Sequence, residues 1–236
     1  VAVAVDLGSS TVGVWATHRG VVSGDASASG ALVRRGRVVD VEGCATLLGQ
    51  LVQRYAQPVP SSDVVVACRP VLATEAEQLS MRRVIEAALA PRRMLFIDTV
   101  RAAAIGSGAA AGSLLIADIG AQLTEIALLE NGRVTAARRA EMGTRDLGRG
   151  ATVGLLTDIV ARHVADLRAT GPADDMDQAV ARGLLLAGDG ALHPALPAAL
   201  AAALRLRVHQ AAAPRTAALH GAGLAAMSAL RHPVVS

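Results

Sequence analysis

No lysine occurs in this chain; all 23 of its basic residues are arginines. That excludes the lysine of a phosphate-binding P-loop and any lysine Schiff base. Aromatic residues are nearly missing as well, with only Trp15, Tyr55 and Phe96. A protein that reads nucleic acid by stacking bases on aromatic platforms is therefore not expected. The cysteines, Cys44 and Cys68, lack metal-ligand spacing and read as reduced structural thiols. The histidines (His18, His163, His193, His209, His220 and His232) are scattered singly, with no helical pair at metal spacing. The longest uncharged stretch, Ala102 to Ala117, is short of a membrane span and rich in Gly and Ser. No charged n-region followed by an apolar h-region opens the sequence, which starts directly in a strand. These absences lead to the expectation of a cytoplasmic protein that does not insert into membranes.

What the chain has in quantity is Ala, Val and Leu. Hydrophobic residues make up 52% of its 236 positions, and the mean hydropathy of +0.41 argues against disorder. Such a length buries a substantial core, as one large domain or as two small ones sharing a cleft. The formal charge of +3 is small. The pairs Arg34-Arg35, Arg92-Arg93 and Arg138-Arg139 read as solvated faces.

Two segments repeat one pattern. Residues 1–12, "VAVAVDLGSSTV", and 114–129, "LLIADIGAQLTEIALL", each run as an apolar strand to an aspartate, turn at a glycine, and continue as a second strand. Between them lie a helix over Val41–Tyr55, the strand "VVVAC", a helix from Thr74 to Leu89 with Thr74 and Glu77 at capping-box spacing, the strand "RRMLFID" and a small-residue helix. After the second copy come a hairpin turn at Asn131-Gly132, a long helix starting near Asp146, and a break at "TGPADDMD". "GLLLAGDGALHP" then reads as strand and glycine turn before a helix, with a short strand near Arg207–His209 and a final helix from about Pro214 to Leu230. This is a duplicated β-rich α/β unit.

A glycine after a strand-end aspartate lets backbone N–H groups approach a phosphate. Ser9, Ser10 and Thr11 add hydroxyl donors, and Asp6 or Asp118 can hold a hydrated Mg²⁺, which takes few carboxylates. The sequence alone places no His or carboxylate beside Ser9, so a phosphate donor or turn residue is favoured over a nucleophile. Glu125 reads equally as an outward strand residue.

The segments "VAVDLGSSTVGVW", "IADIGAQLTEIALLENGRV" and "LLLAGDGALHP" resemble, in order, the phosphate 1, phosphate 2 and adenosine motifs of the actin-like ATPases, and most closely the bacterial MreB family. "LFIDTVRAAAIGSG" and "LHGAGLAA" are similar to its two connecting helices. The resemblance implies two ribonuclease H-like lobes around a central cleft, each a mixed five-stranded sheet with flanking helices: lobe I at 1–112 and lobe II at 113–236. Subdomain IB is reduced to the short connection "SGDASASGALVRRGR" and IIB to one near 168–179. The chain thus resembles the shortened MreB-like proteins of filamentous, high-GC Gram-positive bacteria. On this resemblance the nucleotide-binding residues are Asp6, Gly8, Ser9, Ser10, Thr11, Asp118, Gly120, Ala121, Gln122, Gly188, Asp189 and Gly190, with ATP and Mg²⁺ as ligands and Asp6 and Asp118 facing the metal.

The resemblance is damaged where hydrolysis is carried. Ala121, Gln122 and Leu123 replace two glycines and a hydroxyl of the family's phosphate 2. Thr99 stands where a glutamate positions the attacking water, with Asp98 beside it. Asp189 puts a carboxylate into the adenosine turn. "QPVPSSD" is polar where the family contacts membrane. The resemblance therefore implies a cytoskeletal protein of cell shape or sporulation-associated wall synthesis with weak or absent ATP hydrolysis. Its expected partners are full-length MreB, wall-synthesis proteins or itself. An active ATPase or chaperone-like member of the Hsp70/sugar-kinase/actin superfamily and a nucleotide-free scaffold stay open as alternatives.

Overall fold

The structure is a computed structural model that describes residues 1–27, 31–59, 62–171 and 173–232. Contacts divide the chain into two compact units. The first comprises Val1–Arg69, Ala73–Ile97 and Leu219–Ser236; the second comprises Pro70–Leu72 and Asp98–Ala218. A single cut at 112/113 does not reproduce this division, because the chain passes from one unit to the other more than once.

In the first unit, β1 (Ala2–Leu7), β2 (Thr11–Ala16) and β3 (Gly20–Asp25) form an antiparallel meander. A small hairpin follows, β4 (Val33–Arg34) and β5 (Arg37–Val38), then α1 (Val41–Gln53), β6 (Val64–Arg69), α2 (Glu75–Leu89) and β7 (Arg93–Asp98). The sheet order is β3-β2-β1-β6-β7, with β6 parallel to β1. Val3, Val5 and Leu7 pack with Leu48 and Leu51 of α1 and with Val84 and Ile85 of α2 in one core. Local chemistry sets the helix starts. Asp40 caps α1 through the Gly43 N–H. At α2, Thr74 accepts from the Glu77 N–H while the Glu77 carboxylate accepts from the Thr74 N–H. The other Glu77 oxygen accepts from Arg37 Nε at 2.8 Å, which pins the β4–β5 hairpin to α2.

The second unit opens with α3 (Thr99–Gly106) and repeats the plan. Strands β8 (Ser113–Ile119), β9 (Thr124–Glu130) and β10 (Arg133–Ala140) form the meander. Helices α4 (Val153–Thr170) and α5 (Ala173–Arg182), strand β11 (Leu184–Ala187), helix α6 (Leu196–Leu204) and strand β12 (Val208–Gln210) follow. The order β10-β9-β8-β11-β12, parallel from β8 outward through β11 to β12, matches the first sheet strand for strand. Asn131 (φ 46°) and Gly132 (φ 73°) make the β9–β10 turn, both in the left-handed region that a two-residue hairpin of this hand requires. The last helix, α7 (Ala217–Arg231), returns the chain to the first unit. There Gly223 passes Trp15 so closely that a Cβ would lie 2.7 Å from the ring, and Arg93 donates to the Ala229 carbonyl at 2.9 Å.

Two expectations need correction. Helix α4 starts at Val153 and not near Asp146, because Gly148 (φ 75°) and Gly150 (φ 107°) hold the backbone out of the helical region; Thr152 then caps the helix. The connection expected near 168–179 is largely helical: α5 occupies "ADDMDQAVAR", with Met176 and Ala179 buried. Three sequence readings touch residues outside those described: 28–30 in the first connection, Pro60 and Ser61 in "QPVPSSD", and Pro172 in "TGPADDMD".

Thr74→Ala removes one half of the α2 capping box. It should lower unfolding stability by about 1 kcal/mol, read as a shift in urea midpoint, while Thr74→Ser should retain most of it.

Candidate functional site

The first hairpin is built at the end of β1. Asp6 pairs in register with Gly13, and the Gly8 N–H donates to the Thr11 carbonyl at 3.0 Å, closing a turn over Ser9 and Ser10. A Cβ on Gly8 would lie 2.7 Å from that carbonyl oxygen, so the closure of the turn itself demands glycine there. Ser9 and Ser10 are half-buried and Thr11 is exposed. Burial pushes the Asp6 carboxyl up to about 6 from its ordinary 3.8.

The second hairpin has the same spacing. Asp118 pairs with Glu125, and the Gly120 N–H donates to the Leu123 carbonyl at 2.9 Å around Ala121 and Gln122. Its turn is held by the segment that follows β10. The Thr144 and Arg145 N–H groups donate to the Gly120 and Ala121 carbonyls at 3.0 and 2.8 Å, and Thr124 Oγ1 donates to the Met142 carbonyl at 2.8 Å. Gly143 makes this possible: a Cβ there would lie 2.4 Å from the Gly120 oxygen. Ala121 and Leu123 are 5% and 8% exposed, so the residues that replace glycine and hydroxyl are packing residues. Glu125 does not point outward. It is 4% exposed, and its Oε1 accepts from the Val71 N–H at 2.6 Å.

The third turn joins the second. Ala187 of β11 lies in register with Asp118, and Gly188 (φ 76°) packs so close that a Cβ would be 2.4 Å from Asp118 Oδ1 and 2.5 Å from the Ile119 oxygen. A Cβ on Gly190 would lie 2.5 Å from Ile119 Cβ. Asp189, between these glycines, accepts at Oδ1 from Arg215 Nε at 2.7 Å. At the start of α3, Asp98 occupies the N-cap position without capping the helix, and Thr99 is its first residue; both are half-buried.

The predicted residues therefore fall into two groups. Asp6, Gly8, Ser9, Ser10 and Thr11 cluster in the first unit; Asp118, Gly120, Ala121, Gln122, Gly188, Asp189 and Gly190 cluster in the second. Sequence reasoning missed the Gly143–Thr144–Arg145 buttress and Arg215. "MGTRD" carries a faint signal, a glycine whose N–H is capped by Asp146 three residues on, whereas Arg215 follows a proline in an alanine-rich stretch and carries none.

A polyphosphate with a hydrated cation fits the first hairpin: the turn carries two half-buried hydroxyls, and a divalent ion would relieve the cost of ionising the half-buried Asp6. The second hairpin fits less well, since Ala121 and Leu123 are apolar and packed and leave Gln122 as the one half-buried polar side chain of the 121–123 stretch. Among the described residues no group of three or more His, Cys, Asp or Glu could hold a metal ion without such water.

Residues 29–150 match the MreB/Mbl protein family. The chain belongs to the MreB/Mbl family. No curated protein matches its sequence. Among solved structures it is similar to MreB 5 of Spiroplasma citri bound to AMPPNP, with a TM-score of 0.83 and 14% identity over 97% of this chain and 96% of that one. The ADP-bound form of MreB5 gives 0.77 and 14% over 94% of each chain. The ethanolamine utilization protein EutJ from Carboxydothermus hydrogenoformans gives 0.67 and 18% over 94% of this chain and 89% of that one. At these identities the likeness is one of fold, and it is the actin-like fold of the MreB family. Among the described residues no helix is long and apolar enough to cross a membrane.

Two outcomes test this geometry. Because the folded chain holds the Asp6 proton up to about pH 6 and the unfolded chain releases it near 3.8, the Asp6 contribution to stability falls as pH rises from about 4 to 6 and is level above. Asp6→Asn should flatten that fall in a pH series of urea midpoints. Gly143→Ala forces a methyl into the Gly120 and Ala121 backbone and should cost about 2 kcal/mol or more in the same measurement.

Proposed function

We propose that this MreB-family chain is a cytoskeletal protein of cell shape or sporulation-associated wall synthesis that binds Mg-ATP weakly and hydrolyses it slowly or not at all. The observation that carries the reading is the repeated hairpin: an aspartate two residues before a glycine whose N–H closes a two-residue turn, once in each unit. MreB5 structures hold AMPPNP and ADP, which supports assigning a nucleotide to these hairpins. The residues assigned to it are Asp6, Gly8, Ser9, Ser10, Thr11, Asp118, Gly120, Ala121, Gln122, Gly188, Asp189 and Gly190, with Asp6 and Asp118 meeting the cation through water.

The loss of hydrolysis rests on two side chains. Leu123 is buried and apolar, so it offers no donor or acceptor to a water. Thr99 at neutral pH is no general base. A protein that binds nucleotide without turnover would act by association with full-length MreB, with wall-synthesis proteins or with itself.

Calorimetric titration with ATP and Mg²⁺, paired with a phosphate-release assay, tests the reading. The expected result is weak saturable heat with no release above background, and measurable release in the Thr99→Glu, Leu123→Thr double variant. Turnover by the wild-type chain that the double substitution leaves unchanged would make it an active ATPase. Absence of heat would make it a nucleotide-free scaffold.

A further inference from the structure

The adenosine turn of this chain carries an ion pair of its own. Gly188 and Gly190 are fixed as glycines by contact with Asp118 and Ile119, which leaves Asp189 as the only residue of the turn with a side chain. That carboxylate is mostly buried, at 23% exposure, and a bare negative charge there would oppose any polyanion. Arg215 answers it through Nε alone, at 2.7 Å, while 68% of the arginine side chain remains exposed. The two terminal amino groups of Arg215 donate to no acceptor among the described residues. Its backbone neighbour Pro214 accepts from the Gly188 N–H at 3.0 Å, and Gly188 abuts Asp118. Arg215 thus stands two short steps from the strand-end aspartate of the second hairpin, inside the same unit.

We propose that Arg215, oriented by Asp189, is a phosphate-binding residue of the nucleotide site. The inference rests on the nucleotide reading above and deepens it. A guanidinium held at Nε presents its remaining N–H groups as a fixed fork, the geometry that grips two oxygens of one phosphate. Asp189 removes the rotational freedom that would otherwise be lost on binding. The device suits a chain without lysine whose second turn has exchanged glycine and hydroxyl for Ala121 and Leu123. It supplies positive charge where a hydroxyl donor has been replaced by an apolar side chain.

Titrations of ATP, ADP and adenosine into wild type, Arg215→Ala and Arg215→Lys test the assignment. Arg215→Ala leaves the largely buried Asp189 carboxylate unpaired, whereas Arg215→Lys keeps a charge beside it, so circular dichroism and melting midpoint are recorded for both variants and the lysine variant separates lost binding from lost folding. Arg215→Ala should weaken ATP and ADP by roughly tenfold or more, the scale of a lost charge-assisted bond, and leave adenosine unchanged. Arg215→Lys should fall between, since an ammonium keeps the charge and loses the fork. If wild type binds ATP and Arg215→Ala binds it equally well, the Arg215 assignment falls and the nucleotide reading stands. If wild type binds no nucleotide, both fall.

Discussion

The second unit depends on glycine backbone approaching its neighbours where no further side chain could stand. Gly143, Gly188 and Gly190 each bring a chain segment to the Asp118–Ala121 stretch at distances that a single methyl would abolish. Close packing tolerates no such intrusion without a shift of the backbone itself. With those approaches in place, the Thr144 and Arg145 N–H groups reach the turn carbonyls, β11 runs beside β8 with Ala187 at Asp118, and the adenosine turn lies against the second hairpin. The way the Asp118–Ala121 stretch and the adenosine turn lie against each other depends on three missing Cβ atoms.

The first unit solves the same topological problem differently. Its hairpin also needs a glycine, but the demand comes from the turn's own carbonyl. Its elements are tied together by side chains: the Glu77 carboxylate serves the α2 cap and Arg37 of the β4–β5 hairpin together, and Tyr55, just past α1, shares its hydroxyl proton between the Val14 and Gly20 carbonyls across β2 and β3. Two sheets of identical strand order are thus stabilised by unlike contacts, as expected if topology is the shared constraint and packing detail is free to diverge.

Much of this was legible because it is local. Strand runs such as "VAVAV" and "LLIAD", the Thr74–Glu77 cap and the Asn131-Gly132 turn announce themselves in a few residues, and the paired aspartate–glycine spacing marked both hairpins. What failed was non-local or looked like its opposite. The residues "ADDMDQAVAR" follow a glycine and proline and look like a break, yet acidic residues in a first turn favour a helix start, and Met176 and Ala179 bury its inner face. The glycines before α4 were absorbed into a helical pattern whose apolar spacing runs on through them, although only their left-handed φ ends it. Glu125 gave no sign of burial, because its partner is a backbone N–H distant in sequence. Arg215 was invisible for the same reason.

The unlike chemistry of the two turns has an energetic consequence. Burying a leucine side chain stabilises by roughly 2 kcal/mol, whereas burying a hydroxyl without a partner costs about as much. With Ala121 and Leu123 packed and the carbonyls engaged, the second turn keeps its shape by its own contacts. The first turn has half-buried hydroxyls and a carboxylate whose ionisation is opposed by burial, so its electrostatics improve when a cation and its anion arrive. On the proposed reading, the response of the first unit to nucleotide is therefore concentrated in its hairpin, and that of the second unit in Arg215.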